Sequence, residues 1–160
     1  MKVLTGEHIS NLVERYVSER IDVDLRKTPF IGFGVFTEDG TFVAGVVASN
    51  FRGTDCEISM AAETANWARK GIMRIIFEYI FYRNNCNRCT CVVKNVRESK
   101  RTRRFLEGIG FVLEGNMRRA YDGQNDALIY GLLREDCRFL ADYSGVKNGQ
   151  EIRPGSASGT

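Results

Sequence analysis

The amino-acid sequence predicts a single mixed α/β domain, on three observations. Helical and strand patterns alternate along the chain, in the order helix, hairpin, strand, helix, strand, helix, strand, strand. An Asp39-Gly40 turn joins two apolar runs, a strong short-range hairpin signal. A helical stretch over 67–83 separates two strand candidates, as a crossover between parallel neighbours requires. The 160 residues suffice for one core, and neither an internal repeat nor a linker divides them. We expect the domain over 1–140 and a polar, flexible tail over 141–160, where "GVKNGQEIRPGSASGT" offers little to bury.

The elements follow in order. Ile9, Leu12, Val13, Tyr16 and Val17 recur at helical spacing, so 7–21 is an amphipathic helix. "FIGFGVFTEDGTFVAGVVAS" (30–49) is the hairpin, and "DCEISMAA" (55–62) is a third strand. The helix over 67–83 places Ile72, Ile75, Ile76, Tyr79 and Ile80 on one face. "RCTCVV" (88–93) is rich in residues that suit a pleated surface. A shorter helix over 99–109 buries Phe105, Leu106 and Ile109 and stops at Gly108 and Gly110. "FVLEG" (111–115) and "DALIYGLLR" (126–134) are the last strands, joined by the turn-rich "YDGQND".

Composition narrows the function classes. Hydrophobic residues make up 43% and charged residues 27%, as in a globular protein, and no apolar run has the length of a membrane span. The N-terminal residues lack the apolar core of a signal peptide, so a cytoplasmic location is expected. A net charge of +3 is too mild to announce a nucleic-acid binder, although "KNVRESKRTRR" (94–104) is densely basic. The odd set Cys56, Cys86, Cys89, Cys91 and Cys137 argues for reduced thiols. "CNRCTC" (86–91) raises zinc, but no second ligand pair accompanies it and His8 is the single histidine; we expect buried strand cysteines and no metal.

One segment breaks the ordinary rules. The helix in "WARKGIMRIIFEYIF" (67–81) opens with Arg69, Lys70 and Gly71. The first turn of a helix carries unpaired N–H groups and the positive end of the dipole, so each cation there costs about 0.3–1 kcal/mol. Glycine costs up to about 1 kcal/mol relative to alanine. A bound anion reverses the sign of the first penalty, and glycine lets it approach the backbone. The alternative is a helix beginning near Ile72, with Arg69 and Lys70 solvated in a loop. No G-x-x-x-x-G-K-[ST] is present, which argues against a nucleoside-triphosphate loop.

The strings "CEISMAA", "WARKGIMRIIFEYIF", "RCTCVV", "SKRTRRFLEGIGFVLEG" and "DALIYGLLREDC", in this order, resemble the GNAT superfamily of acyl-CoA-dependent N-acetyltransferases. The likeness covers roughly 8–140 and is nearest the branch of ribosomal-protein N-terminal acetyltransferases. The helix ending "FLEGIGF" with its following "EG" strand is its most specific piece. The resemblance implies a mostly antiparallel central sheet flanked by helices, with one parallel pair, 55–61 and 88–93, splayed to admit the cofactor. It implies acetyl-CoA as co-substrate, with its pyrophosphate at Trp67, Ala68, Arg69, Lys70, Gly71 and Ile72. The family's [QR]-x-x-G-x-[GA] pattern is met only loosely by Asn66 to Gly71, with Arg69 in place of the first glycine. The pantetheine would run beside Ser59, Met60 and Ala61, Ser99 would touch it, and Arg101 and Arg104 would reach the 3′-phosphate.

The resemblance also implies the chemistry. A neutral amine must attack the thioester, and Glu57 stands where the family often places the base. Strand alternation puts Glu57, Ser59 and Ala61 on one face. The family's tyrosine before "GIGF" is missing, since Phe105 and Leu106 stand there; Ser99, Tyr130 or water is left to supply the proton. The acceptor is a primary amine of a protein N-terminus, a lysine or a small molecule, reached in a ternary complex without an acyl-cysteine. A homodimer is compatible with this reading. The rival readings are a CoA-binding or protein-interaction module without catalysis and a nucleic-acid binder using 94–104.

Overall fold

The computed structural model describes residues 1–142 and the backbone of a short strand pair, Val146–Lys147 with Gln150–Glu151. The tail expected over 141–160 lies for the most part outside the described residues. The elements are β1 (Lys2–Leu4), α1 (Glu7–Ile21), β2 (Phe30–Phe36), β3 (Phe42–Arg52), β4 (Asp55–Ala62), α2 (Lys70–Glu78), β5 (Arg88–Lys94), α3 (Lys100–Ile109), β6 (Val112–Met117) and β7 (Ala127–Leu133). β1 to β7 form one sheet in the order β1-β2-β3-β4-β5-β7-β6. Every neighbouring pair is antiparallel except β4 and β5, which α2 connects as a crossover. The expected mostly antiparallel sheet with one parallel pair is therefore observed.

Helices cover both faces. α2 and α3 pack Ile72, Met73, Ile76, Phe77, Leu106 and Ile109 against Cys56, Ile58, Cys89 and Cys91 in the main core. α1 packs Val13 and Val17 on the other face, over Val47, with Ala61 alongside. Glycines let α1 lie this close. A Cβ at Gly32 would stand 2.6 Å from Ser10 Cα, and one at Gly45 would stand 2.9 Å from Val13 Cγ1. Ser10 Oγ accepts the Gly32 amide at 2.9 Å and pins the contact.

The local differences from the expected elements have physical reasons. The helix expected over 67–83 divides into a 3₁₀ turn at Ala65–Trp67, α2 proper, and a π-helical stretch at Tyr79–Arg83. The wider π winding still keeps Ile80 and Phe81 buried, so the apolar pattern cannot register the change. Residues 97–99 form a 3₁₀ turn ahead of α3, so the helix begins at Lys100 and not at Ser99. β1 was not expected: three residues are too short to show alternation, and β1 gains its partner only from the pairing Val3↔Val35. All five cysteines are buried, and of the 86–91 cluster Cys89 and Cys91 lie on β5 while Cys86 precedes it.

Candidate active site

The site begins where β4 and β5 part. Their register covers only Asp55↔Arg88, Cys56↔Cys89 and Glu57↔Thr90. Both strands continue, β4 to Ala62 and β5 to Lys94, but each is then paired only on its outer side. A wedge opens between them toward their C-terminal ends. The backbone of Ser59, Met60 and Ala61 faces this wedge with no strand opposite. Such an edge can accept an extended, peptide-like chain as a false neighbour.

A cavity of about 570 Å³ adjoins the wide end. Met60, Ala61, Trp67, Arg101 and Arg104 line it, so five of the residues named from the sequence come together there. Trp67 forms part of the wall, buried and 5.8 Å from the Phe105 ring, centroid to centroid. Arg20, Ile21, Thr64 and Thr102 also line it and were not expected at the site, as does Phe105, which the sequence placed on the buried face of the helix over 99–109. Arg20 is committed elsewhere: it stacks 3.6 Å over the Tyr16 ring and donates to Glu63 Oε1 at 2.9 Å. That bond holds the Glu63 carboxyl below the usual range.

Arg69, Lys70 and Gly71 do not line the cavity; they follow it, exposed, at the start of α2. Arg69 is the residue before the first helical turn, in an extended conformation and without a side-chain cap. The first helical bond runs from the Met73 amide to the Arg69 carbonyl at 3.0 Å. The amides of Lys70, Gly71 and Ile72 therefore lack intrahelical partners. Ile72 turns its side chain into the core and offers only its amide. Among the described residues, no ion pair of 4.0 Å or less neutralises Arg69, Lys70, Arg101 or Arg104. Free amides and free cations together make an electropositive mouth. The helix does begin before Ile72, so the awkward start is real.

Glu57 lies on the α1 face, at the narrow end of the wedge. Its side chain is 32% exposed, accepts Asn50 Nδ2 at 2.8 Å and stands 3.9 Å from Arg52. An ionic network continues beside it. Asp55 accepts Arg52 at 2.9 Å and Thr90 Oγ1 at 3.1 Å. Arg88 grips Glu114 through both terminal nitrogens, at 2.8 and 2.6 Å. Burial, with the Glu57 charge, pushes the Cys91 thiol up to about 12, so Cys91 holds its proton at neutral pH.

Of the proton donors considered, Tyr130 is fully buried, accepts from Arg103 Nε and donates to Glu107 Oε1, both at 3.1 Å. Its hydroxyl is tied to α3 and away from the wedge. Ser99 is half-buried at the N-cap of α3 but makes no side-chain cap bond and does not line the cavity. Thr102 does. Ala68 is half-buried in the turn between Trp67 and Arg69.

No helix among the described residues is long and apolar enough to cross a membrane, and no group of His, Cys, Asp and Glu among them is placed to hold a metal. Neither a protein-family model nor a curated protein sequence matches the chain. Solved structures do. A chimera of the spermidine N-acetyltransferase from Vibrio cholerae with hSSAT matches 87% of this chain and 98% of its own, with a TM-score of 0.61 and 15% identity. A dodecameric spermidine N-acetyltransferase from Vibrio cholerae matches 84% and 94%, again with a TM-score of 0.61 and 15% identity. A probable acetyltransferase matches 71% and 68%, with a TM-score of 0.52 and 24% identity. At these identities the shared property is architecture, and that architecture is the fold of the GNAT N-acetyltransferases.

Proposed function

We propose that the protein is an acyl-CoA-dependent N-acetyltransferase that acts on a primary amine. The observation that carries the proposal is the parting of β4 and β5 beyond Glu57↔Thr90, beside a cavity in which Arg101 and Arg104 have no anionic partner among the described residues. Acetyl-CoA would supply an activated acetyl group as a thioester. The chain's own residues do the rest. The free edge of β4 at Ser59 to Ala61 holds an extended amide-bearing arm. The amides of Lys70, Gly71 and Ile72, with Arg69 and Lys70, meet the pyrophosphate. Arg101 and Arg104 meet the remaining phosphate. Glu57 takes the proton from the acceptor ammonium, directly or through water, and Asn50 fixes the carboxylate that does so. Water is left as the donor toward the departing thiolate, since Tyr130 is engaged by α3 and Ser99 does not line the cavity. The protonated Cys91 supports direct transfer over an acyl-cysteine.

The reading without catalysis draws on two observations. Phe105 stands where the family's tyrosine is expected, and Arg52 shares Glu57 with Asn50. Two assays separate the readings. Acetyl-CoA should raise the melting temperature of a transferase and of a CoA-binding module alike, and acetyl transfer to a panel of amines should occur only with the first. No thermal shift at millimolar acetyl-CoA defeats both and favours a protein-interaction module.

A further inference from the structure

A second cavity lies away from the wedge, and the transfer chemistry leaves it unused. It sits where α2 and the turn after it face β1 and β2, and it shares no lining residue with the cavity beside the wedge. Its volume is about 260 Å³. Sites for drug-sized ligands run to roughly 300–1,000 Å³, so this one suits a smaller metabolite. Val3, Phe33 and Ile75 make its apolar side. Phe33 is buried, and its ring meets the Tyr79 ring edge-on, 5.1 Å between centroids. Ile75 is 51% exposed, although Ile72 and Ile76 of the same helix are buried.

The polar side holds two opposite charges that do not meet. Glu78 and Arg83 both line the cavity. Among the described residues neither forms an ion pair of 4.0 Å or less, with each other or with any other group. Thr5 Oγ1, at the rim, is taken up by the Gly32 carbonyl at 2.8 Å. The winding of the helix puts the two charges together. Surface neighbours on an α-helix are three or four residues apart, and Glu78 and Arg83 are five apart. The chain turns π-helical over Tyr79–Arg83, and the Asn84 amide donates to the Tyr79 carbonyl at 3.0 Å, a bond that spans five residues. The wider turn carries Arg83 round to the side of Ile75 and Glu78, where its guanidinium lies 5.3 Å from the centre of the Tyr79 ring. Such turns are rare and recur at functional sites.

These groups set what fits. A carboxylate answers Arg83, an ammonium answers Glu78, and a short apolar body covers Val3, Phe33 and Ile75. An α-amino acid carries both charges on one carbon, so one small ligand satisfies the whole rim. We infer that this cavity is a binding site for a free α-amino acid with an apolar side chain, its carboxylate at Arg83, its ammonium at Glu78 and its side chain against Phe33. The inference does not rest on the acyl-transfer reading, because occupancy is measurable without turnover.

Calorimetric titration of the full chain, without acetyl-CoA, tests it. The probes are L-phenylalanine and L-leucine, with phenethylamine lacking the carboxylate, hydrocinnamate lacking the ammonium and glycine lacking the side chain. L-Phenylalanine should bind at least about tenfold more tightly than each of the last three, since each has lost a charge-assisted contact or the apolar one. Arg83→Gln should erase its advantage over phenethylamine, and Glu78→Gln should erase its advantage over hydrocinnamate. Arg83 is exposed and Glu78 half-buried, so both variants should melt as the unaltered protein does. Silence toward both L-phenylalanine and L-leucine at millimolar concentration overturns the site. Binding that neither substitution weakens lies elsewhere and overturns it equally. A probe with a single charge that binds the unaltered protein as tightly as L-phenylalanine overturns the assignment to an amino acid.

Discussion

Replacing Arg69 by aspartate should strengthen the free protein and weaken the complex, two effects of opposite sign from one side chain. Arg69 occupies the cap position of α2 in an extended conformation and caps nothing. That backbone suits Asp, whose carboxylate can accept one of the free amides of the first turn for about 0.5–2 kcal/mol. Exchanging a cation for an anion at the positive end of the helix adds a few tenths to about 1 kcal/mol. A combined gain of about 1–2 kcal/mol corresponds to a rise in melting temperature of roughly 3–6 °C for a chain of this size. The same change removes a charge-assisted contact with a phosphate and adds repulsion. Loss of the contact alone costs roughly 1.5–3 kcal/mol, or about 10–150-fold in Kd. At acetyl-CoA equal to about 100 times the unaltered Kd, ligand stabilisation should fall from about 2.7 kcal/mol to between about 0.3 and 1.4. Paired melting curves with and without acetyl-CoA read both effects. A variant that is no more stable when free, or that keeps the full ligand shift, refutes the reasoning that Arg69 is placed for an anion at the expense of stability.

Other outcomes follow from the same geometry. Glu57→Gln keeps the bond from Asn50 and removes the basicity, so kcat should fall by about 10²–10⁴ at neutral pH with acetyl-CoA affinity unchanged; the loss should shrink at high pH, where the acceptor amine is neutral unaided. Gly32→Ala drives a Cβ into the Ser10 backbone and threatens the buried bond between Ser10 and Gly32, so it should lower stability by about 1–3 kcal/mol or more in a denaturant titration. The Asn125 amide first, then the Asn125 side chain and the Gln124 amide, hold the Asp122 carboxyl well below the usual range. Its stabilising effect is therefore present above the ordinary carboxyl pKa and is lost as pH falls below it. The melting temperature should drop more between pH 5 and pH 3 in the unaltered protein than in Asp122→Asn, and equal drops would show that this carboxylate does not steady the β6–β7 connection.

The sequence carried the order of elements because their signals are local. The Asp39-Gly40 turn and the helical spacing of Ile72, Ile76 and Ile80 need no tertiary information. The parallel pair was implied by the family resemblance, and the helical crossover over 67–83 is consistent with it. The misplaced cations at Arg69 and Lys70 were visible because they offend a local rule. Burial and long-range bonding were not visible. Trp67 was expected as a ligand contact at the start of the helix and lines the cavity as a buried wall, whereas Ile72 reads as a ligand contact but turns into the core. Tyr130 reads as a free hydroxyl until Arg103 and Glu107 are seen on it. Arg20 lies far from the motifs in the chain, and only the packing of α1 against β4 brings it to the wedge.

The central claim is that the wedge between β4 and β5 is a CoA site, and the structure of the protein crystallised with CoA tests it most directly. The account predicts the pantetheine arm along the free edge of β4, bonded to the backbone of Ser59 to Ala61, with the pyrophosphate at the amides of Lys70, Gly71 and Ile72 beside Arg69. CoA bound elsewhere, or a wedge that stays empty at millimolar CoA, would contradict it.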